Sequence, residues 1–137
     1  MSRENLRYDA DRWYSQAVDD AEAASALLVA KKYAQACFYA QQSGEKAMKA
    51  VWFELDLDPW GHSVGRLIRD LTEDVQEEFM PLLDEALALD KLYIPTRYPD
   101  ALANLTPAEA YTQREAGSAI QSAQVLLDFV QEWRSRR

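Results

Sequence analysis

The stretch YAQACFYAQQSGEKAMKAVWFEL, residues 33–55, decides the fold. Its small and apolar residues recur every three or four positions, the period of a helix and not the alternation of a strand. Ala36, Ala40, Ser43, Gly44, Ala47 and Val51 fall close to one line along it. Small side chains let two helix axes approach closely, so this line predicts the place where helix two crosses a neighbour. Gly44 costs about 1 kcal/mol of helix propensity, which close packing would offset. A second face carries Gln42, Glu45, Lys46 and Lys49 at i, i+3, i+4, i+7 spacing and reads as a solvated face supported by a Glu45–Lys49 pair.

The helical period continues on both sides. Residues 9 to 31 place Trp13, Ala17, Ala21, Ala24 and Leu28 on one stripe, with Asp11, Asp19, Asp20 and Glu22 elsewhere. DLDPWGHS, residues 56–63, breaks helix two with proline and glycine, and Ser63 caps a short third helix carrying Val64, Leu67, Ile68 and Leu71. A helical region over 73–92 carries Val75, Phe79, Leu82, Leu83, Ala86 and Leu87 and is kinked or divided at Pro81. The last helix is expected to start at TPAE, with Thr106 as cap, Pro107 in the first turn and Glu109 completing a capping box. Its buried side runs through Ala116, Ile120, Ala123, Leu127 and Val130 to near Trp133. Short connections between long amphipathic helices favour antiparallel neighbours, so the expected fold is all-α: an antiparallel up-and-down bundle of four to five helices, one domain over 1–137.

With 23 acidic against 15 basic residues the net charge is −8, which favours solubility and disfavours an extended phosphate-binding groove. The single cysteine, Cys37, allows neither an intrachain disulfide nor a cysteine metal site, and its apolar helical surroundings read as a buried structural thiol. The start, MSRENLRYDADRW, has no apolar signal core, and no stretch approaches the roughly 20 apolar residues of a membrane span. No membrane association and a cytoplasmic location are therefore expected.

Familiar catalytic patterns are missing. There is no phosphate-binding glycine loop, and His62, the only histidine, excludes a paired-histidine metal helix. No serine sits in a nucleophile elbow. Neither metal nor cofactor is expected. Three polar clusters remain, the first being the Lys46 face of helix two. The second is WGHSVGRL, residues 60–67, where His62 and Ser63 precede a helix whose amino-terminal amides can receive an anion, or merely form a capping turn.

The third is YIPTRYPDAL, residues 93–102. Pro95 and Pro99 bias Ile94 and Tyr98 toward extended conformations and hold Arg97 in a non-helical turn. Arginine offers a planar fork of donors for phosphate or carboxylate, and Tyr93 and Tyr98 can stack on a base or on the guanidinium itself. The competing reading is an internal salt bridge from Arg97, with Asp100 as one candidate.

The run YAQACFYAQQSGEKAMKAVW, followed by GHSVGRLIRDL and then YIPTRYPDAL, resembles the HEPN domain family (higher eukaryotes and prokaryotes nucleotide-binding domain), from about Trp13 to Val130. The resemblance implies an antiparallel bundle of four or more helices. Many HEPN proteins are ribonucleases, commonly toxins, in which two subunits bring together an arginine, four to six residues and a histidine to cleave RNA without a metal. Others are non-catalytic, and bind nucleotides or RNA or act with a minimal nucleotidyltransferase encoded beside them in a toxin–antitoxin-like system. Arg97 matches the arginine of the ribonuclease motif, but the histidine positions hold Leu102, Ala103 and Asn104. His62 does not restore the motif in sequence, because residues 55 to 57 are Leu55, Asp56 and Leu57. Neither arginine nor asparagine moves protons readily near neutral pH.

The resemblance thus implies a non-catalytic module that binds a nucleotide or short RNA through Lys46, His62, Tyr93, Arg97 and Tyr98. A homodimer and a minimal nucleotidyltransferase partner are implied as well; Trp52 and Trp60 near the bundle end fit an interface if exposed, and either equally fits the core. The alternative is a metal-independent ribonuclease with a degenerate motif, using His62 from spatial proximity.

Overall fold

Two non-glycine residues in the left-handed region, Lys31 (φ 63°) and Asp56 (φ 58°), set the layout of the bundle. The structure, a computed structural model, describes residues 2–137. Helix α1 spans Arg3–Val29 and α2 spans Tyr33–Glu54. Beyond α1, Lys31 N–H donates to Leu28 O (3.0 Å) and Lys32 N–H to Leu27 O (2.8 Å). That pair of bonds is a Schellman motif, which satisfies two orphan carbonyls and reverses the chain, so α2 returns along α1. The end of α2 repeats it: Asp56 N–H donates to Phe53 O (3.1 Å) and Leu57 N–H to Trp52 O (2.9 Å). Helix two is therefore already closed by Asp56, before Pro59 and Gly61 are reached.

Helix α3 (Val64–Arg69) and α4 (Glu73–Phe79) follow, then a 3₁₀ turn at Met80–Leu82 and α5 (Leu83–Asp90). Pro81 falls in that turn and divides the region as its missing N–H requires. A 3₁₀ turn at Pro99–Ala101, α6 (Pro107–Ala110) and α7 (Gln113–Ser135) complete an all-α bundle, with no strand among the described residues. Helix α2 packs on both α1 and α7, and α5 closes against α7.

The start of the last helix differs from expectation. Thr106 and Glu109 do form a capping box, but it opens only the four-residue α6. Tyr111 is extended (φ −90°, ψ 140°), and a second box made by Thr112 and Glu115 opens α7. The second cap governs the long helix because the buried stripe begins directly after it, at Ala116, and runs to Trp133.

The small-residue line of α2 lies in the core. Ala36, Ala40, Ser43, Ala47 and Val51 are fully buried, and Ser43 Oγ donates to Ala17 O of α1 at 2.7 Å. A Cβ on Gly44 would stand 2.6 Å from Leu89 Cδ1 and 3.1 Å from Leu126 Cδ1. Glycine is there because α5 and α7 come that close. At the other end Arg134 Nε donates to Glu54 Oε1 (2.8 Å), its guanidinium also meets Asp11, and Arg7 lies 3.5 Å from Glu54. These charges join the first and last helices over the buried Glu54 carboxylate. Of the two tryptophans left open between core and interface, Trp52 is half-buried, and its indole donates to Leu67 O at 2.8 Å and ties α2 to α3. Trp60 is 86% exposed.

Gly44→Val should lower stability by about 1–3 kcal/mol in urea unfolding, the usual cost of overpacking. Gly117→Ala, with nothing within 4 Å of its new methyl, should raise stability by about 0.5–1 kcal/mol. Cys37 is buried as expected, and burial pushes its thiol from the ordinary 9.0 up to about 12. The folded protein then keeps the proton that the unfolded chain releases between these values, so this contribution is complete below pH 9 and lost progressively as pH rises toward 12. Disulfide-exchange reagents at about pH 8, near the ordinary thiol range, should label Cys37 only after denaturant is added.

Candidate functional site

Arg97 is held by rings rather than by charges. Its guanidinium carbon lies 4.6 Å from the Phe38 ring centroid, 4.7 Å from Tyr93 and 5.0 Å from Tyr98. Such cation–π contacts fix the guanidinium without neutralising it. Its Nε donates to Tyr93 O (3.1 Å), and its backbone N–H donates to Ile94 O (3.1 Å). Among the described residues no carboxylate lies within ion-pair distance of Arg97, so the Asp100 salt bridge is not formed. The two Nη groups are the donors left for a ligand.

Local bonds shape the loop. Thr96 is buried and its hydroxyl donates to Leu92 O (2.5 Å), continuing the turns after α5. Tyr98, directly before Pro99, is extended (φ −117°, ψ 120°), as its position requires. Arg97 is exposed at the crest.

His62 meets the same ring. It stacks on Tyr93 with centroids 4.8 Å apart and planes 18° from parallel, and its Nδ1 lies 3.3 Å from Glu45 Oε2. A carboxylate only accepts, so the proton of that contact belongs on Nδ1 and Nε2 is left free. The Glu45 carboxylate is buried beneath it. Lys49 Nζ approaches Oε2 at 3.1 Å, and Gln41 Nε2 donates to Oε1 at 3.1 Å and to His62 O at 3.2 Å. This satisfies a charge that would otherwise be costly in the interior. The Glu45–Lys49 pair therefore exists, but on a buried face and not on the solvated one expected.

The remaining candidates separate. Lys46 is already paired: its ammonium meets Asp20 at 2.5 Å and Gln42 Oε1 at 3.2 Å. Asp20, read as lying off the apolar stripe of α1, is itself buried and so paired, with Gln16 also donating to it at 3.0 Å. The start of α3 is filled from within. Asp90 accepts from Val64 N–H (2.6 Å), Gly65 N–H (3.1 Å) and Ser63 Oγ (2.7 Å), while Ser63 Oγ accepts from Arg66 N–H (3.0 Å). The capping turn is the correct reading, and a ligand anion there would have to displace Asp90.

Phe38, Gln41 and Asp90 were missed in the sequence, and Glu45 was read only as half of a surface pair. Gln41 and Glu45 were legible in part, since 37, 41, 44, 45 and 48 continue the apolar side of α2 through Cys37 and Met48. Polar residues in such register are buried and need partners. Asp90 closes across 25 to 27 residues, which no local pattern announces.

A model of the HEPN domain matches residues 10–133. The chain belongs to the HEPN domain family. Among solved structures this HEPN chain is similar to TT1696 from Thermus thermophilus, at 43% identity and TM-score 0.85 over 90% of this chain and 96% of that one. It is likewise similar to ST0689, described as an archaeal HEPN homologue, at 34% identity and TM-score 0.75 over 90% and 96% of the two chains. A curated relative from Methanocaldococcus jannaschii, named "Putative toxin MJ1304", is 25% identical over 137 residues, 94% of this chain and 90% of that one.

Proposed function

We propose that this HEPN domain binds a nucleotide or short RNA without cleaving it, with Arg97 taking a phosphate. The observation that carries the reading is a guanidinium packed against three aromatic rings with no carboxylate partner among the described residues. A structural arginine is ordinarily neutralised by an acid, as Arg134 is by Glu54 and Asp11. Here the charge is kept and the fork is oriented, the arrangement suited to bidentate phosphate binding. Because Lys46 is already paired with Asp20, Arg97 works without it. With net charge −8 the ligand presents few phosphates, so a mononucleotide or an RNA end fits better than a long backbone. The relative named "Putative toxin MJ1304" supports a toxin–antitoxin-like pair; a homodimer acting with a minimal nucleotidyltransferase is proposed from the family resemblance alone. A monomer in light scattering at micromolar concentration would remove the dimer.

One observation favours a second reading, metal-independent RNA cleavage. His62 and Arg97 share the Tyr93 ring, and Glu45 orients the imidazole with Nε2 free, a geometry suited to proton transfer beside a bound phosphate. This reading requires cleavage that persists in chelator and disappears in His62→Ala.

Calorimetric titration of wild type and Arg97→Ala with ATP, GTP and a short single-stranded RNA decides the first reading. Arg97→Ala should weaken binding roughly ten- to a hundredfold, the scale of a hydrogen bond to a charged group. Unchanged affinity would refute the assignment.

A further inference from the structure

We propose that the groove between α1 and α7 receives a cationic amphipathic helix of a partner protein. The two helices both pack on α2 and so lie side by side, but they are fastened to each other at one end. There Arg7 donates to Arg134 O at 3.5 Å, Arg134 pairs with Asp11, and Tyr14 Oη donates to Leu127 O at 2.9 Å. Past Tyr14 and Leu127, no hydrogen bond or ion pair joins α1 to α7 among the described residues. A cavity of about 550 Å³ starts at this tie and follows the antiparallel pair. Its lining steps by i, i+4, i+7 and i+11 on each wall, from Tyr14 to Ser25 on α1 and from Ile120 to Gln131 on α7. Each wall is thus one helical stripe about 16 Å long, which matches about three turns of a third helix.

The lining selects the occupant. Leu127 is buried and Val18, Ala21 and Ile120 are half-buried, which makes an apolar floor. Glu22 and Asp128 are exposed beside it, and neither has an ion-pair partner among the described residues. The sign follows from the sequence, which has no lysine or arginine between Arg12 and Lys31 and none between Arg114 and Arg134. Other acids of α1 and α2 are met by bases within the chain, Asp20 by Lys46, Glu45 by Lys49 and Glu54 by Arg134. Here the bases must come from the occupant. A helix with apolar residues at the same spacing and lysine or arginine on its flanks meets floor and rims together, the helix-in-groove mode of recognition. A second copy fits less well, because a face-to-face pair sets Glu22 and Asp128 of each copy against like charges. The Arg97 cradle is built by α2 and the loop 93–98, so this surface is independent of the nucleotide reading.

The test titrates the full chain into labelled synthetic peptides of about three to four helical turns. One carries leucines at i, i+4, i+7 and i+11 flanked by lysines; the second has glutamate for every lysine, and the third scrambles the first. Fluorescence anisotropy should show the lysine peptide bound and the glutamate peptide free, and circular dichroism should show helix gained on binding. Glu22→Lys combined with Asp128→Lys should weaken the lysine peptide roughly tenfold or more and strengthen the glutamate peptide. Asp58→Lys combined with Glu77→Lys makes the same change of net charge at exposed positions outside the groove, and should alter either affinity by no more than about twofold. Ile120→Ala, checked for an unchanged helical spectrum, should weaken the lysine peptide by about tenfold. Equal binding of the scrambled peptide, or equal effects of the two double charge reversals, shows general attraction to an acidic chain and overturns the proposal. No binding of the lysine peptide overturns it as well. If light scattering shows that the Glu22 and Asp128 reversal changes the oligomeric state, the groove belongs to a second copy and the proposal fails.

Discussion

The rest of the structure depends on the close approach of α2 to its neighbours. Gly44 has no room for a side chain beside Leu89 and Leu126, and the alanines in line with it are fully buried. A helix enclosed on that line by α1, α5 and α7 has its remaining polar positions dictated. Gln41 and Glu45 fall inside, where each polar atom needs a partner, and the partners come from α2 itself and from the turn that follows it. Lys49 and the turn at His62 answer Glu45, and the His62 carbonyl answers Gln41. Packing of one helix thus fixes where the site can form.

Charge completes the site by contrast. Most strong charges near it are cancelled: Glu45 by Lys49, Lys46 by Asp20, and the α3 amides by Asp90. Arg97 alone of the sequence-nominated cations is oriented by aromatic faces and left without a counter-ion among the described residues. In a chain of net charge −8 that leaves a local unneutralised cation on a surface that disfavours polyanions. His62 adds a directional group beside it, held by a buried carboxylate.

Much of the fold was legible, because helical period and small-residue spacing are local signals. The α2 line, the Ser63 cap and the division at Pro81 all follow from neighbours in the same short stretch of chain. The start of α7 was misplaced because two capping boxes stand six residues apart, at Thr106 and Thr112, and either satisfies the local rule. Within the site, the proline-framed loop pointed to Arg97 correctly as a presented group, while its cradle was only half visible: Tyr93 and Tyr98 flank it in sequence, but Phe38 comes from α2. The pairing of Lys46 was invisible for the complementary reason, since its partner Asp20 lies 26 residues away on α1. Contacts across the bundle are set by packing and leave no trace in spacing.

The most direct measurement is nitrogen-resolved NMR of the arginine side chains during titration with ATP. Arg97 should begin as a ring-shifted signal with Nη protons exchanging with water, and on binding those protons should sharpen and move downfield while the other arginines stay in place. A nucleotide that binds and leaves the Arg97 side chain unmoved, or that shifts the Arg134 cluster instead, would contradict the account.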